Sequence, residues 1–547
     1  MNIVIAGINS KYVHSLLSPW CLKAGVESFC ELKHNITIIE TTINSSITEF
    51  SVEISKLSPD ILAIPCYIWN INFVIELSEL IKKRIVTKIV LGGPEVAYRS
   101  ESVLKDYSCI DFVLSGEGEW TFSSLIDVLS LSRSPSEAEG LTYRYNEIII
   151  KTSVKIHKDT PPSPYCEKYF NSLNNRIAYI ESSRGCPYKC SYCLSGRLEK
   201  MRCFDAESVC ENIIKLSNSG AVTIKFIDRT FNANEDHCYS ILDFILSEIG
   251  SRIPENICFH FEISADILTN KIIELFQKFP KGSCQLEIGI QSYNTDTLNA
   301  INRHCNFEKL ESNIAQLTEN GNIHIHTDLI AGLPYETLES FISSFNRAFR
   351  LKTHMLQIGF LKLLSGAAIN ENINEFTYTF NDTPPYEIVS NKFLSNDELK
   401  IIRHCEKSLD KLYNSGRFML TIDFLLKNTA FSPFELFRFF SDNFETDMIS
   451  LKELTQNLYI CFSPFCNAER LREVILCDLA SIDANITIPE ILKTYDKEYK
   501  RINKFYTEKY QTNVKTVICR TINKVYVVNC DSQKDLRKRK QGKYFDL

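Results

Sequence analysis

The sequence has no run of about 18 consecutive apolar residues, so nothing in it reads as a membrane span. Its opening Met1-Asn2-Ile3-Val4-Ile5-Ala6-Gly7 lacks the basic flank and long apolar stretch of a secretory signal, and reads instead as a buried first strand. An excess of positive charge is also missing. Sixty-one Lys and Arg stand against 67 Asp and Glu, a net charge of −6 with no sustained basic face, which argues against nucleic acid as a partner. Neither the glycine-rich P-loop nor the dinucleotide fingerprint occurs, and no repeat of fixed period runs through the chain. These absences leave a cytoplasmic globular chain of 547 residues, long enough for about three domains.

What the sequence does hold is cysteine. Twenty of them without an export signal are expected to be reduced thiols, some of them metal ligands. Their setting follows from hydrophobic patterning. Residues 1–135 alternate short apolar runs (Asn2–Ala6, Ile36–Thr41, Ile61–Pro65, Lys88–Leu91, Phe112–Ser115) with amphipathic segments, the rhythm of a doubly wound parallel sheet. Residues 136–175 read as a linker, with a hairpin around Tyr143–Ile150 and a proline-rich stretch at Pro161–Pro164. From 176 to 385 the rhythm resumes. Six strand–helix units, with strands ending near Ser182, Asp228, Ile263, Ile290, Ile330 and Phe360, predict a partial, TIM-like (β/α)6 barrel whose chemistry gathers at the carboxyl ends of the strands. Residues 386–547 read as a separate, mainly helical domain.

The strongest chemical signal follows the first barrel strand: Gly185-Cys186-Pro187-Tyr188-Lys189-Cys190-Ser191-Tyr192-Cys193. A [4Fe–4S] cluster has four irons and normally four thiolate ligands, so three cysteines on one tight loop leave one iron open. Spacing alone is weak in a chain so rich in cysteine; the position at the first strand end makes it specific. The loop resembles that of the radical S-adenosylmethionine (SAM) superfamily, C-x3-C-x-aromatic-C, with Tyr192 as the aromatic. The resemblance implies that the open iron chelates SAM and that one-electron reduction cleaves it to a 5′-deoxyadenosyl radical. It extends along the barrel in order. Asp228 and Arg229 follow the second strand, Glu262 ends the third, and Glu287-Ile288-Gly289-Ile290-Gln291-Ser292 resembles the family's E-x-G-x-Q-S segment. Asp328-Leu329-Ile330-Ala331-Gly332-Leu333-Pro334 resembles the turn near the adenine. By the same resemblance Tyr192, Asp228, Arg229, Glu262, Glu287, Gln291, Ile330 and Gly332 are SAM contacts, and Arg303 pairs with the SAM carboxylate. His324 and His326 share a strand face, but with no third ligand nearby they read as barrel lining.

The N-terminal loops resemble those of the B12-binding domain, which has a flavodoxin-like sheet. The loops are Pro65-Cys66-Tyr67-Ile68-Trp69-Asn70, Leu91-Gly92-Gly93-Pro94 and Ser115-Gly116-Glu117-Gly118-Glu119, with Cys66 standing 26 positions before Gly92 where the family has serine. The first loop, Asn9-Ser10-Lys11-Tyr12-Val13-His14-Ser15, departs from the family's D-x-H-x-x-G, and His14 reads as structural rather than as a cobalt ligand. The implied cobalamin contacts are Ser10, Tyr12, Cys66, Tyr67, Ile68, Gly92, Gly93, Pro94, Gly116, Glu117, Gly118 and Glu119.

Three features lie outside both resemblances. Phe431–Phe440 is dense in aromatics at helical spacing and reads as core, and Cys461 and Cys466 find no tightly spaced partner among Cys477, Cys519 and Cys530, so buried free thiols are expected. The basic run Lys534–Lys540 reads as a solvated tail. The region from 386 resembles an uncharacterised C-terminal domain found on some B12-binding radical SAM proteins and names no substrate.

Together the resemblances imply a cobalamin-dependent radical SAM enzyme, served by a donor such as flavodoxin or ferredoxin, that methylates an unactivated carbon. The alternatives are radical oxidation, cyclisation or rearrangement with the same cofactors, or a cobalamin sensor or carrier with an inactive barrel.

Overall fold

A computed structural model describes residues 1–197, 201–482 and 487–547. Strands β1 (Asn2–Asn9), β2 (Asn35–Thr42), β3 (Ile61–Pro65), β4 (Lys88–Gly92) and β5 (Phe112–Leu114) form a parallel sheet in the order β2-β1-β3-β4-β5. This is the flavodoxin-like winding, whose ligand crevice lies beyond the carboxyl ends of β1 and β3, where strand order reverses. The inner strands β1 and β3 are buried along nearly their whole length because helices cover both faces: Ser18–Phe29 and Gly118–Ser130 on one, Ile47–Leu57 and Ile71–Arg84 on the other. Gly25 lets the first pair approach closely, since a Cβ there would lie 2.3 Å from the carbonyl oxygen of Glu119.

The hairpin expected in the linker forms, as β6 (Leu141–Tyr145) and β7 (Ile148–Lys151), but it pairs antiparallel with β5 and extends the first sheet to seven strands. Leu141, Thr142 and Tyr143 are buried, which explains why it docks on the sheet edge.

The second sheet holds β8 (Ile177–Ile180), β11 (Thr223–Phe226), β12 (Cys258–Ile263), β13 (Cys284–Gln291), β14 (His324–Ala331) and β15 (Met355–Phe360), all parallel and in sequence order. Between β8 and β11 lies a two-residue pair, β9 (Ser183–Arg184) and β10 (Arg202–Cys203). Burial alternates strictly along β12, β13 and β14, one face fully buried under the outer helices and the other half-buried toward the barrel axis. That second face carries the polar groups: His260 and Glu262, then Gln285, Glu287, Gly289 and Gln291, then His324, His326, Asp328 and Ile330.

Beyond a short antiparallel pair, β16 (Thr379–Phe380) and β17 (Ile388–Ser390), come helices Asn396–Leu409, Met419–Asn428, Pro433–Asn443, Leu451–Phe462 and Ala468–Ser481. They do not build a core of their own. Phe434 and Phe437 pack on Phe345 of the barrel helix Leu338–Phe349, in one apolar core running from the barrel into these helices.

The chain ends in a three-stranded antiparallel sheet, β18 (Val514–Cys519), β19 (Lys524–Asn529) and β20 (Gly542–Asp546), which the helical expectation did not include. The basic run is not a solvated tail. Arg539 is buried and paired at 2.6 Å with the fully buried Asp478, while Arg537 stacks over Tyr413 and donates to the carbonyl of Thr353 at 2.6 Å. A carboxylate enclosed in an apolar core needs a cation, and residue 539 supplies it. Cys461, Cys466, Cys477, Cys519 and Cys530 form no metal-binding trio among the described residues; Cys477 and Cys519 sit as a buried pair 3.7 Å apart.

Candidate functional site

The loop after β8 carries Cys186, Cys190 and Cys193 to the carboxyl ends of the barrel strands. Its approach is fixed by Asp228. Ser182 donates to this carboxylate through its backbone N–H at 3.0 Å and its hydroxyl at 2.6 Å, and Ser183 adds its hydroxyl at 2.5 Å. Asp228 is therefore buried behind the cysteine loop rather than facing the cavity, a correction to its expected SAM contact. A short buried polar network suits this task, because its geometry is determined by several bonds at once.

All three thiols line a cavity of about 210 Å³ with Tyr188, Tyr192, Arg229, Thr230, Glu262, Glu287, Gln291, Arg303 and Asp328. Among the described residues they are not grouped as closely as the ligands of a single ion would be. That suits a cubane, whose thiolates bind different irons. Arg303 reaches within 3.8 Å of the Cys190 sulfur and also donates to the Gly289 carbonyl. The Thr230 hydroxyl lies 3.5 Å from the sulfur of Cys186.

Three buried polar atoms on this wall have no hydrogen-bond partner: Nε of Arg303, Oε1 of Gln291 and Oδ1 of Asp328. Buried groups of this kind are costly unless satisfied. A donor beside two acceptors fits a polar, zwitterionic occupant.

The carboxylates differ in charge state. His260 donates to Glu287 at 3.0 Å and Lys225 at 3.2 Å, and these outweigh burial to hold its carboxyl down at about 2. Asp328 has no such partner; burial, with Glu287 and Glu262 nearby, pushes it up to about 7. Asp328 belongs to the segment that resembles the adenine turn and is not among the expected SAM contacts. Alternation along β14 is the signal that finds it, since residues 324, 326, 328 and 330 share one face.

His324 and His326 line the barrel as expected, their rings 4.7 Å apart and His354 4.8 Å from His324; burial holds the two imidazoles near 3 and 4, hence neutral. Ile330 faces inward but stands apart from the thiol cavity, and Gly332 turns away from it, its absent Cβ filled by Ile388 at 2.8 Å.

A second cavity, about 530 Å³, lies where the carboxyl ends of both sheets meet. Its walls come from the β1 loop (Asn9, Ser10, His14 to Ser18), the β3 loop (Tyr67, Trp69), the β5 loop (Glu117 to Glu119) and, from the barrel, Tyr179, Glu181, Arg184, Ile227 and Arg229. Buried Asn70 shapes the β3 loop, donating to the carbonyls of Ile8 and Pro65 and accepting the Tyr67 N–H at 2.8 Å. Tyr67 and Trp69 then stack flat, 4.4 Å apart. His14 is held by Tyr179 at 2.7 Å.

Of the expected cobalamin contacts, Ser10, Tyr67, Glu117, Gly118 and Glu119 line this cavity. The others are employed elsewhere. Tyr12 is exposed under Arg176, and half-buried Ile68 stays off the wall. Gly93 adopts φ 104°, with its Cα facing the Cys66 carbonyl so closely that a Cβ would lie 2.6 Å from it; Cys66, Gly92 and Pro94 thus form the β3–β4 corner. Gly116 faces Val154.

Glu117 and Glu119 do more than line the wall. Arg184, two residues before Cys186, binds Glu117 at 2.5 Å, Glu119 at 2.8 Å and Glu181 at 2.7 Å, and Arg202 adds 2.6 Å to Glu117. Burial alone would raise the Glu119 carboxyl; Arg184 reverses this and holds it below its ordinary value. The sequence reading missed Arg184, Trp69 and Glu181.

Comparison with known families matches residues 8–126 to the B12 binding domain and residues 180–348 to the Radical SAM superfamily. The chain thus carries a match to a B12 binding domain followed by a match to a radical SAM domain. Residues 374–536 match a family of unknown function, DUF4080.

The cobalamin-dependent radical SAM methyltransferase TokK of Streptomyces tokunonensis is 26% identical over 58% of this chain and 50% of its own. The chain spans about half the length of the curated relatives it first matches. Among solved structures, the radical SAM methyltransferase TsrM of Kitasatospora setae aligns at TM-score 0.58 and 15% identity, covering 71% of this chain and 79% of TsrM. The cobalamin-dependent SAM radical enzyme OxsB aligns at 0.60 and 14%, covering 93% and 75%. Identities this low carry the fold, not the chemistry.

Proposed function

We propose that this chain is a cobalamin-dependent radical SAM enzyme that methylates an unactivated carbon. The observation that carries the reading is Arg229, a single side chain lining both the thiol cavity and the cavity between the sheets, so that the two cofactor sites adjoin.

Cys186, Cys190 and Cys193 hold a [4Fe–4S] cluster, and the unpartnered atoms of Arg303, Gln291 and Asp328 receive SAM beside it. Tyr67 and Trp69 offer a flat apolar face to cobalamin, with Ser10 and the Glu117–Glu119 loop around its rim. When bound, cluster and SAM supply a hydrogen-abstracting radical and cobalamin supplies the methyl group. The protein's own work is placement: Asp228 fixes the cysteine loop, the Arg184 clamp ties that loop to the cobalamin wall, and the enclosing walls exclude water. No helix among the described residues is long and apolar enough to cross a membrane, and the reading places the chain in the cytoplasm with a low-potential flavodoxin or ferredoxin as donor.

The test is anaerobic reconstitution with cluster, cobalamin and labelled SAM across candidate substrates. Methylation yields S-adenosylhomocysteine and 5′-deoxyadenosine together. 5′-Deoxyadenosine without S-adenosylhomocysteine would replace the reading with radical oxidation, cyclisation or rearrangement, and cobalamin binding without SAM cleavage would replace it with a carrier or sensor. Cys190→Ala abolishes cleavage; survival of cleavage in that variant would remove the cluster assignment.

A further inference from the structure

The helices Ser18–Phe29 and Gly118–Ser130 both begin at the cavity between the sheets, where Ser18 and Leu22 of one and Gly118 and Glu119 of the other line the wall. They run closely packed from there, Gly25 of the first against the backbone of Glu119 in the second. At the far end of the pair three donors of different kinds meet. Cys30 caps the first helix, its N–H on the Val26 carbonyl at 3.2 Å. His34 stands four residues on, in the loop before β2, and Asp127 lies in the last turns of the second helix. The Cys30 sulfur, a His34 ring nitrogen and an Asp127 carboxylate oxygen all lie within 4.8 Å of one another, and all three residues are half-buried.

The local bonding leaves the donors underused. The Cys30 thiol makes a long contact, 3.4 Å to the Ser123 carbonyl, and interacts with the Asp127 carboxylate. One Asp127 oxygen accepts the Glu31 N–H at 3.0 Å, which orients the carboxylate toward the loop. His34 Nε2 is buried with no partner, while its Nδ1 sits 3.4 Å from the Met1 amine. A buried imidazole nitrogen without a partner, on a ring that stands beside a thiol and a carboxylate, is costly as it stands and can be satisfied by a cation held among the three.

We propose that Cys30, His34 and Asp127 bind a zinc ion that staples the ends of the two helices whose other ends form the cobalamin wall. One sulfur, one nitrogen and one oxygen donor, two of them at Cys-x3-His spacing, suit tetrahedral Zn2+, with water in the fourth position. Binding displaces the thiol proton to solvent. The site is independent of the iron–sulfur and cobalamin assignments.

The test uses the full-length chain with Cys186, Cys190 and Cys193 all changed to Ala, so that zinc cannot occupy the cluster loop. After incubation with Zn2+ and exhaustive dialysis, metal analysis is expected to find about one equivalent, falling to background in the Cys30→Ser and His34→Ala versions. Zinc retained undiminished in those versions, or none retained in the parent, overturns the site. Should either substitution fail to fold, alkylation of the unsubstituted chain decides instead. Zn2+ is expected to shield Cys30 from iodoacetamide in peptide mass spectra, and equal labelling of Cys30 with and without Zn2+ overturns the proposal.

Discussion

At the scale of single residues, Asp328 and Glu287 show how one cavity sets two carboxyls to different charge states. Glu287 has His260 and Lys225 as bonded partners and stays ionised; at Asp328 burial and the neighbouring Glu287 and Glu262 outweigh the pull of Lys225. The sign of the consequence can be worked out. An unfolded Asp loses its proton near pH 4, whereas folded Asp328 keeps it to about 7. Between those values the folded chain holds the extra proton, so stability falls as pH rises through this window and the full penalty stands above it. Each unit of displacement is worth about 1.4 kcal/mol, and Asp328→Asn is therefore expected to stabilise the cofactor-free chain at pH 8 by on the order of 2–4 kcal/mol, with little effect at pH 4. Urea unfolding at the two pH values measures it. Equal effects of the substitution at both would show that Asp328 is not the titrating group.

At the scale of elements, the strands were legible because burial on both faces demands apolar runs, and β3 spans Ile61–Pro65 as read from the sequence. The cysteine loop was legible because its ligands are local. What stayed hidden were pairings between distant segments. Arg184 meets Glu117 across 67 positions, and Arg539 meets Asp478 across 61, and no pattern within either segment announces its partner. The Glu117–Glu119 loop was consequently read as cobalamin contact alone, and the Lys534–Lys540 run as tail. Both pairs should be costly to break. Removing one partner of a buried ion pair strands the other, typically at about 3–5 kcal/mol, so Arg184→Ala and Arg539→Ala are each expected to lose stability of that order in urea unfolding. They differ in what else changes. Arg539→Ala should expose the C-terminal sheet to proteolysis and leave cobalamin binding intact, whereas Arg184→Ala should weaken cobalamin binding and leave that sheet protected. The reverse pattern would dissolve the assignment of the two clamps to two different ends of the molecule.

At the scale of the whole molecule, the two sheets present their carboxyl ends to each other, and the apolar core that the barrel shares with helices Asn396–Ser481 braces the barrel from outside. The sheet windings placed both sites at strand ends in advance, but not the side chain they share, because the exposed Arg229 looks in sequence like any residue after a strand. Its position makes a coupling argument testable. Arg229 is outside hydrogen-bond reach of the thiols, and its nearest ion-pair partner, Glu262, is 4.0 Å away. A side chain so placed contributes to alignment between the two cavities more than to events within either. Arg229→Ala is accordingly expected to leave cleavage of SAM to 5′-deoxyadenosine within about threefold of the parent while cutting methylated product by about tenfold or more, since small misplacements of reacting groups cost rates of that size. Quantifying both products in the same anaerobic reaction reads the ratio directly. A parallel fall in both would confine Arg229 to the thiol cavity, and no fall in either would mean that the two sites are aligned by the Arg184 clamp alone.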